Sequence, residues 1–184
     1  MPATGPALQM MLDKARRFID EEVIPREDLR RARDRQYLLA TVGELRARAV
    51  SLGLGSPRGT VAAGGLGLTW EECCAYLEIA GRSFLGPAAL QCGAPVQPDI
   101  ALLDAIASPA QRERYLYPLM QGEKRSCFAM TEPAPGVGSD PRMLSSRAER
   151  TSAGWTLHGH KWFASAASIA DFAIVMARTG AGPS

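Results

Sequence analysis

Leu8, Met11, Leu12, Ala15, Phe18, Ile19 and Val23 recur at the steps of one helix face, while Asp13, Lys14, Arg17, Asp20 and Glu21 fill the other. The pattern predicts an amphipathic helix that closes before Pro25, because a residue ahead of proline is pushed out of the helical region. A second helix is expected over 27–52, where arginines alternate with acids around Leu29, Leu38, Leu45 and Val50, the mark of a solvated outer face. The Gly- and Pro-rich stretch 53–67 predicts a long surface loop.

Thr69 and Glu72 have the spacing of a capping box, in which each side chain satisfies a free backbone amide at a helix start, and Cys73, Leu77 and Ala80 are expected on that helix's core face. Gly86, Pro87, Gly93 and Pro95 mark a loop, and a further helix is expected over 100–107. Ser108-Pro109-Ala110-Gln111 is a second start signal, for a helix ending near Gly122. The period then changes. Segments 127–130, 146–150, 155–158, 161–165 and 172–178 are short runs broken by Gly, Pro, Asp or Ser, and they predict strands of an antiparallel sheet. The fold class expected is therefore α+β, an all-α domain over 1–124 followed by the start of a β domain over 125–184.

Composition narrows the function. At 184 residues and 46% hydrophobic, the chain can build one ordinary core, or one small domain and part of another. A formal charge of +2 provides no basic field for nucleic acid or an anionic membrane. Cys73, Cys74, Cys92 and Cys127 lack paired metal-ligand spacing, so no metal is expected. His158 and His160 would alternate to one strand face, but without a third ligand they are read as exposed strand positions. With neither a signal sequence nor an apolar run near the ~20 residues that span a bilayer, the expectation is a soluble cytoplasmic protein with reduced thiols.

Arg125-Ser126-Cys127-Phe128-Ala129-Met130-Thr131-Glu132-Pro133, followed by Gly138-Ser139-Asp140, resembles the signature of the acyl-CoA dehydrogenase family, a strand leading into Thr-Glu-Pro and a small-residue loop. His160-Lys161-Trp162-Phe163-Ala164-Ser165 is similar to the family's second flavin segment. Upstream, Gly64-Gly65-Leu66-Gly67-Leu68-Thr69 and Glu78-Ile79-Ala80-Gly81-Arg82-Ser83 resemble its N-terminal helical domain, in the flavour of the long, atypical branch.

The resemblance implies FAD as cofactor and α,β-desaturation of an acyl-CoA thioester, a step of lipid metabolism. It implies that Phe128, Met130, Thr131, Phe163 and Ser165 contact the flavin: amides around Met130 and Thr131, with the Thr131 hydroxyl, at the isoalloxazine edge, the Ser165 hydroxyl toward N5, and Phe163 as an apolar surface against the rings. Fixed donors there favour reduction, because negative charge develops on that edge. Ser139 would lie near the pyrophosphate or the acyl-CoA. Relative to the family loop, Pro133-Ala134-Pro135-Gly136-Val137-Gly138 is about two residues longer, with Pro135 stiffening it.

No carboxylate matches the family's catalytic base, and Glu132 is expected to hold its turn by hydrogen bonding. The reading is thus an N-terminal portion, inactive alone, whose partners are an acyl-CoA substrate and a C-terminal half on the same or another chain, in a homo- or hetero-oligomer. The alternative is a non-catalytic binding or assembly module that keeps the fold, since fold does not imply activity.

Overall fold

The computed structural model describes residues 5–134 and 138–180. The chain divides into two compact units, 1–124 and 125–184.

In the first unit the opening amphipathic pattern becomes α1 (Pro6–Phe18), which continues without a break through a wide turn (Ile19–Val23) and a tight one (Ile24–Arg26) before Glu27 turns extended. The predicted second helix is shorter than expected and starts late, as α2 (Arg35–Ser51). The reason is local. Asp28 accepts from the Arg30 amide at 3.0 Å and Asp34 from the Tyr37 amide at 2.9 Å, so each aspartate caps a new start and breaks the run.

The Thr69–Glu72 box opens α3 (Trp70–Ala80): the Thr69 amide donates to Glu72 at 2.7 Å and the Glu72 amide to Thr69 Oγ1 at 3.2 Å. Cys73 and Ala80 are buried as expected. Leu77, by contrast, is 37% exposed, and its place in the core is taken by Tyr76, whose hydroxyl donates to the Leu54 carbonyl. The short α4 (Gly86–Ala89) follows a turn whose Ser83 hydroxyl donates to Glu27 and accepts from the Leu85 and Gly86 amides. Next come α5 (Val96–Ile106), α6 (Pro109–Gln111) with its Ser108–Gln111 capping box, a wide turn (Arg112–Leu116) and α7 (Tyr117–Met120). Phe18, Ile19, Leu45, Leu54, Tyr76 and Leu90 are at the centre of the core.

Stretch 53–67 is not the surface loop that its composition predicts. Leu54, Gly55, Ser56, Pro57 and Gly59 are buried, and the segment folds on itself through Leu66 N to Ser56 O, Gly67 N to Gly59 O and Leu68 N to Pro57 O bonds of 2.8–3.2 Å. Its glycines make this possible: a β-carbon on Gly65 would run into the backbone of Gly59. With its amides satisfied internally, the loop can be buried.

The second unit contains β1 (Ser126–Ala129), β2 (Arg147–Thr151), β3 (Gly154–His158) and β4 (Phe172–Val175). β2 and β3 form the antiparallel hairpin the pattern predicts, pairing Arg147 with His158 and Thr151 with Gly154. β1 and β4 instead pair parallel, Ser126 beside Phe172 and Ala129 beside Val175. The hairpin lies within the crossover between them, which is how a parallel pair gains the long connection it needs. A bridge from Arg147 to Arg178 ties the hairpin to the continuation of β4, with Ala148 N donating to Arg178 O at 2.8 Å. Segment 161–165, expected as a strand, is not one: Phe163 at φ +50° and Ala166 at φ +66° turn the chain out of extended geometry. β3 stops at His158, so His160 lies outside it and the two histidines do not share a strand face.

Candidate functional site

β1 feeds directly into Met130-Thr131-Glu132-Pro133, and Glu132 is only 1% exposed. One of its carboxylate oxygens accepts from both the amide and the hydroxyl of Ser145, each at 2.6 Å. The other accepts from the Ser146 amide at 3.0 Å and from Lys161 Nζ at 2.7 Å. Burial alone would raise this carboxyl's pKa; the hydrogen bonds from Lys161, Ser145 and Ser146 outweigh it and hold the group well below the usual carboxylate range. A carboxylate occupied by four donors and pinned in its ionised form is a poor proton acceptor. Glu132 therefore organises the turn.

Lys161, with 12% of its side chain exposed, also donates to the Met130 carbonyl at 2.8 Å. The next residue, Trp162, donates its amide to the Thr131 carbonyl at 3.1 Å, and the Glu132 amide donates to Gly138 O at 3.0 Å. The two motifs read from the sequence are thus brought side by side, one backbone bond and two ammonium bonds fastening residues 161–162 to residues 130–132.

Thr131 is half-buried, and among the described residues its hydroxyl has no hydrogen-bond partner. Beyond the fastened segment, Phe163 is 81% exposed in the left-handed region, its ring 4.8 Å from that of Trp162 and tilted 42° to it. A bulky side chain held at positive φ is uncommon and costs free energy, and among the described residues little burial offsets it. Ser165 is an exposed turn residue. Phe128 is half-buried on β1, opposite Ile174. Ser139 is exposed, just ahead of Asp140, which caps the turn Pro141–Met143 by accepting from the Arg142 amide at 2.9 Å. Pro135, Gly136 and Val137, in the loop expected to be longer than the family's, lie outside the described residues.

Sequence reasoning missed Lys161 and the Ser145–Ser146 amides as parts of the site. A signal existed: an acid in the first motif and a base in the second, opposite charges on segments expected to meet. A cleft of about 80 Å³ next to Lys161, lined by Ser146, Arg147, Leu157, His158 and Val175 among others, is well below the ~300 Å³ of ordinary small-ligand pockets. Among the described residues no helix is long and apolar enough to cross a membrane.

Residues 5–123 match the family model "Acyl-CoA dehydrogenase, N-terminal domain", and residues 127–184 match "Acyl-CoA dehydrogenase, middle domain". The chain belongs to the acyl-CoA dehydrogenase family, a family of oxidoreductases. It is 37% identical over 116 residues to "Probable acyl-CoA dehydrogenase FadE2" of Mycobacterium tuberculosis, covering 61% of this chain and 28% of that protein. To "Acyl-CoA dehydrogenase family member 10" of Mus musculus it is 30% identical over 170 residues, 88% of this chain and 16% of that one. Among solved structures it resembles an acyl-CoA dehydrogenase complexed with FAD from Bacillus anthracis, with a TM-score of 0.70 and 27% identity over 96% of this chain and 29% of that one. Glutaryl-CoA dehydrogenase from Mycobacterium smegmatis shares the fold, with a TM-score of 0.72 at 23% identity over 96% of this chain and 44% of that one. The chain thus spans less than half the length of each.

Proposed function

We propose that this chain is the flavin-facing portion of an FAD-dependent acyl-CoA dehydrogenase, oxidising a saturated acyl-CoA thioester to its α,β-unsaturated product. The observation that carries the reading is the aromatic pair Trp162–Phe163: a strained, outward-turned phenylalanine tethered through Trp162 to Thr131 suits the flat, apolar face of an isoalloxazine. The residues fit such a ring in polarity too. The Thr131 hydroxyl, unpartnered among the described residues, and the exposed Ser165 hydroxyl are available to its heteroatoms. In this reading Phe128 and Met130 back the same surface, and Ser139 lies toward the pyrophosphate or the acyl-CoA. The bound FAD of the Bacillus anthracis relative supports the cofactor assignment.

Within that site the chain's own groups bind and orient. Thr131 would donate to the isoalloxazine edge and Ser165 toward N5, Phe163 and Trp162 would exclude water from the ring face, and Lys161 with Glu132 would keep the backbone at Thr131 fixed. When bound, FAD supplies the acceptor for the hydride leaving the substrate's β-carbon. The thioester's α-hydrogen is weakly acidic and needs a base within hydrogen-bond reach. Glu132, with every carboxylate contact engaged, is not that base; we place it outside residues 1–184, on the same or another chain of an oligomer. Four free thiols are consistent with a cytoplasmic setting.

Titration of the purified chain with FAD is the test. Quenching of tryptophan fluorescence and a retained flavin absorbance band are expected, and alanine at Thr131 or Ser165 should weaken binding by ~1–3 kcal/mol each. Absence of any flavin binding by the chain, alone and joined to a C-terminal portion, would remove the reading. Residues 1–184 with FAD and acyl-CoA should show no anaerobic bleaching of the flavin band until a base-bearing segment is added.

A further inference from the structure

A lysine that spans the carbonyl of one residue and the carboxylate of the next but one has little freedom, and neither has the residue between them. Lys161 Nζ is 2.8 Å from Met130 O and 2.7 Å from Glu132 Oε1, so Thr131 is held from both sides, while Trp162 N holds its carbonyl at 3.1 Å. Glu132 in turn closes on the Ser145 and Ser146 amides, which fixes the start of the β2–β3 hairpin to the same point. A buried ion pair is weak evidence for a gain in stability, since desolvating both charges offsets much of their attraction. Its placement between two motifs that build one surface points to another use.

We propose that Lys161 is a positioning residue, which through its paired contacts to Met130 and Glu132 presents Thr131 to the flavin and, with its charge balanced by Glu132, sets the local potential the flavin experiences. This rests on the flavin reading above. The ammonium and the carboxylate nearly cancel at a distance. Removing one leaves the charge of the other in a site where burial weakens screening. Negative charge builds on the flavin when it is reduced, so a lone ammonium favours reduction and a lone carboxylate opposes it.

The experiment compares Lys161→Met, Glu132→Gln and the double variant Lys161→Met/Glu132→Leu with wild type, in the complete protein. Amide hydrogen exchange without flavin is the first readout, and Trp162, Ser145 and Ser146 should lose protection in both variants that lack Lys161. FAD affinity and reduction potential are the second. Lys161→Met should bind FAD roughly tenfold more weakly or worse, matching the loss of a charged hydrogen bond. Its potential should fall, and that of Glu132→Gln should rise.

Shifts in the same direction for both single variants would mean that the pair acts only by holding the fold together, and the proposal would be overturned. The double variant guards against a folding failure, because replacing a whole buried pair by apolar residues is commonly tolerated. If it folds and binds FAD as wild type does, Lys161 positions nothing. A wild-type protein that binds no flavin would strike the flavin reading instead, while the exchange data would still report whether Lys161 fixes the segments at Trp162, Ser145 and Ser146.

Discussion

The hydroxyl of Ser146 occupies the space into which a β-carbon on Gly159 would project. Ser146 is itself 3% exposed and held through its amide to Glu132, so it cannot step aside. Gly159→Ala should therefore destabilise the β unit by ~1–3 kcal/mol, the usual result of forcing an extra carbon into a packed place. Urea unfolding followed by tryptophan fluorescence would show the lowered midpoint, and an unchanged midpoint would contradict the packing described.

Acid should loosen the same unit. Glu132 has its carboxyl depressed in the folded chain, so the stability it contributes is fully present above the ordinary glutamate pKa of about 4.3. That contribution is lost as pH falls below this range toward the depressed folded value, because the unfolded chain takes up the proton first. Glu132→Gln should lower stability at neutral pH and flatten the acid limb of the curve, as read from urea midpoints across the pH series.

Two glycines of the helical unit should respond in opposite directions. Gly43 lies within α2 with nothing near its missing side chain, so Gly43→Ala should stabilise by up to ~1 kcal/mol through helix propensity. Gly65 faces the Gly59 backbone, which cannot rotate away as a side chain could, so Gly65→Ala should destabilise by more than that. Thermal melts followed by circular dichroism separate the two.

Phe163 offers a case where stability and binding diverge. Glycine there relieves the cost of a positive φ, about 1–2 kcal/mol, against a gain in unfolded-chain freedom of about 0.5–1 kcal/mol. Since Phe163 is 81% exposed, little burial is lost. Phe163→Gly should thus melt within about 1 kcal/mol of wild type while binding FAD markedly less well. A large loss of stability would show that the ring is a core element after all.

The elements most legible in the sequence were those specified locally. The Thr69–Glu72 and Ser108–Gln111 boxes are closed by neighbours three residues apart, and both form where their spacing says they should. What was illegible depends on distant partners. The burial of 53–67 rests on Gly65 meeting Gly59 and on Tyr76 reaching Leu54, and the parallel pairing of β1 with β4 has no local signature. At the site, the motif residues 130–132 and 161–163 stood out as types, whereas the ammonium bridge between them became visible only once the chain had brought them together.

That parallel pairing also imposes an order of assembly. The β2–β3 hairpin needs only its own turn and can form while the chain is still growing from the ribosome. β1 is made first but completed last: Arg125 finds Asp171 only 46 residues later, and Glu132 gains its counter-ion only when Lys161 emerges. Until then the nascent β1 segment has an open edge and a solvated glutamate beside it. A pause in synthesis between Thr131 and Val175 would prolong that exposure and leave the growing chain open to a chaperone or to aggregation meanwhile.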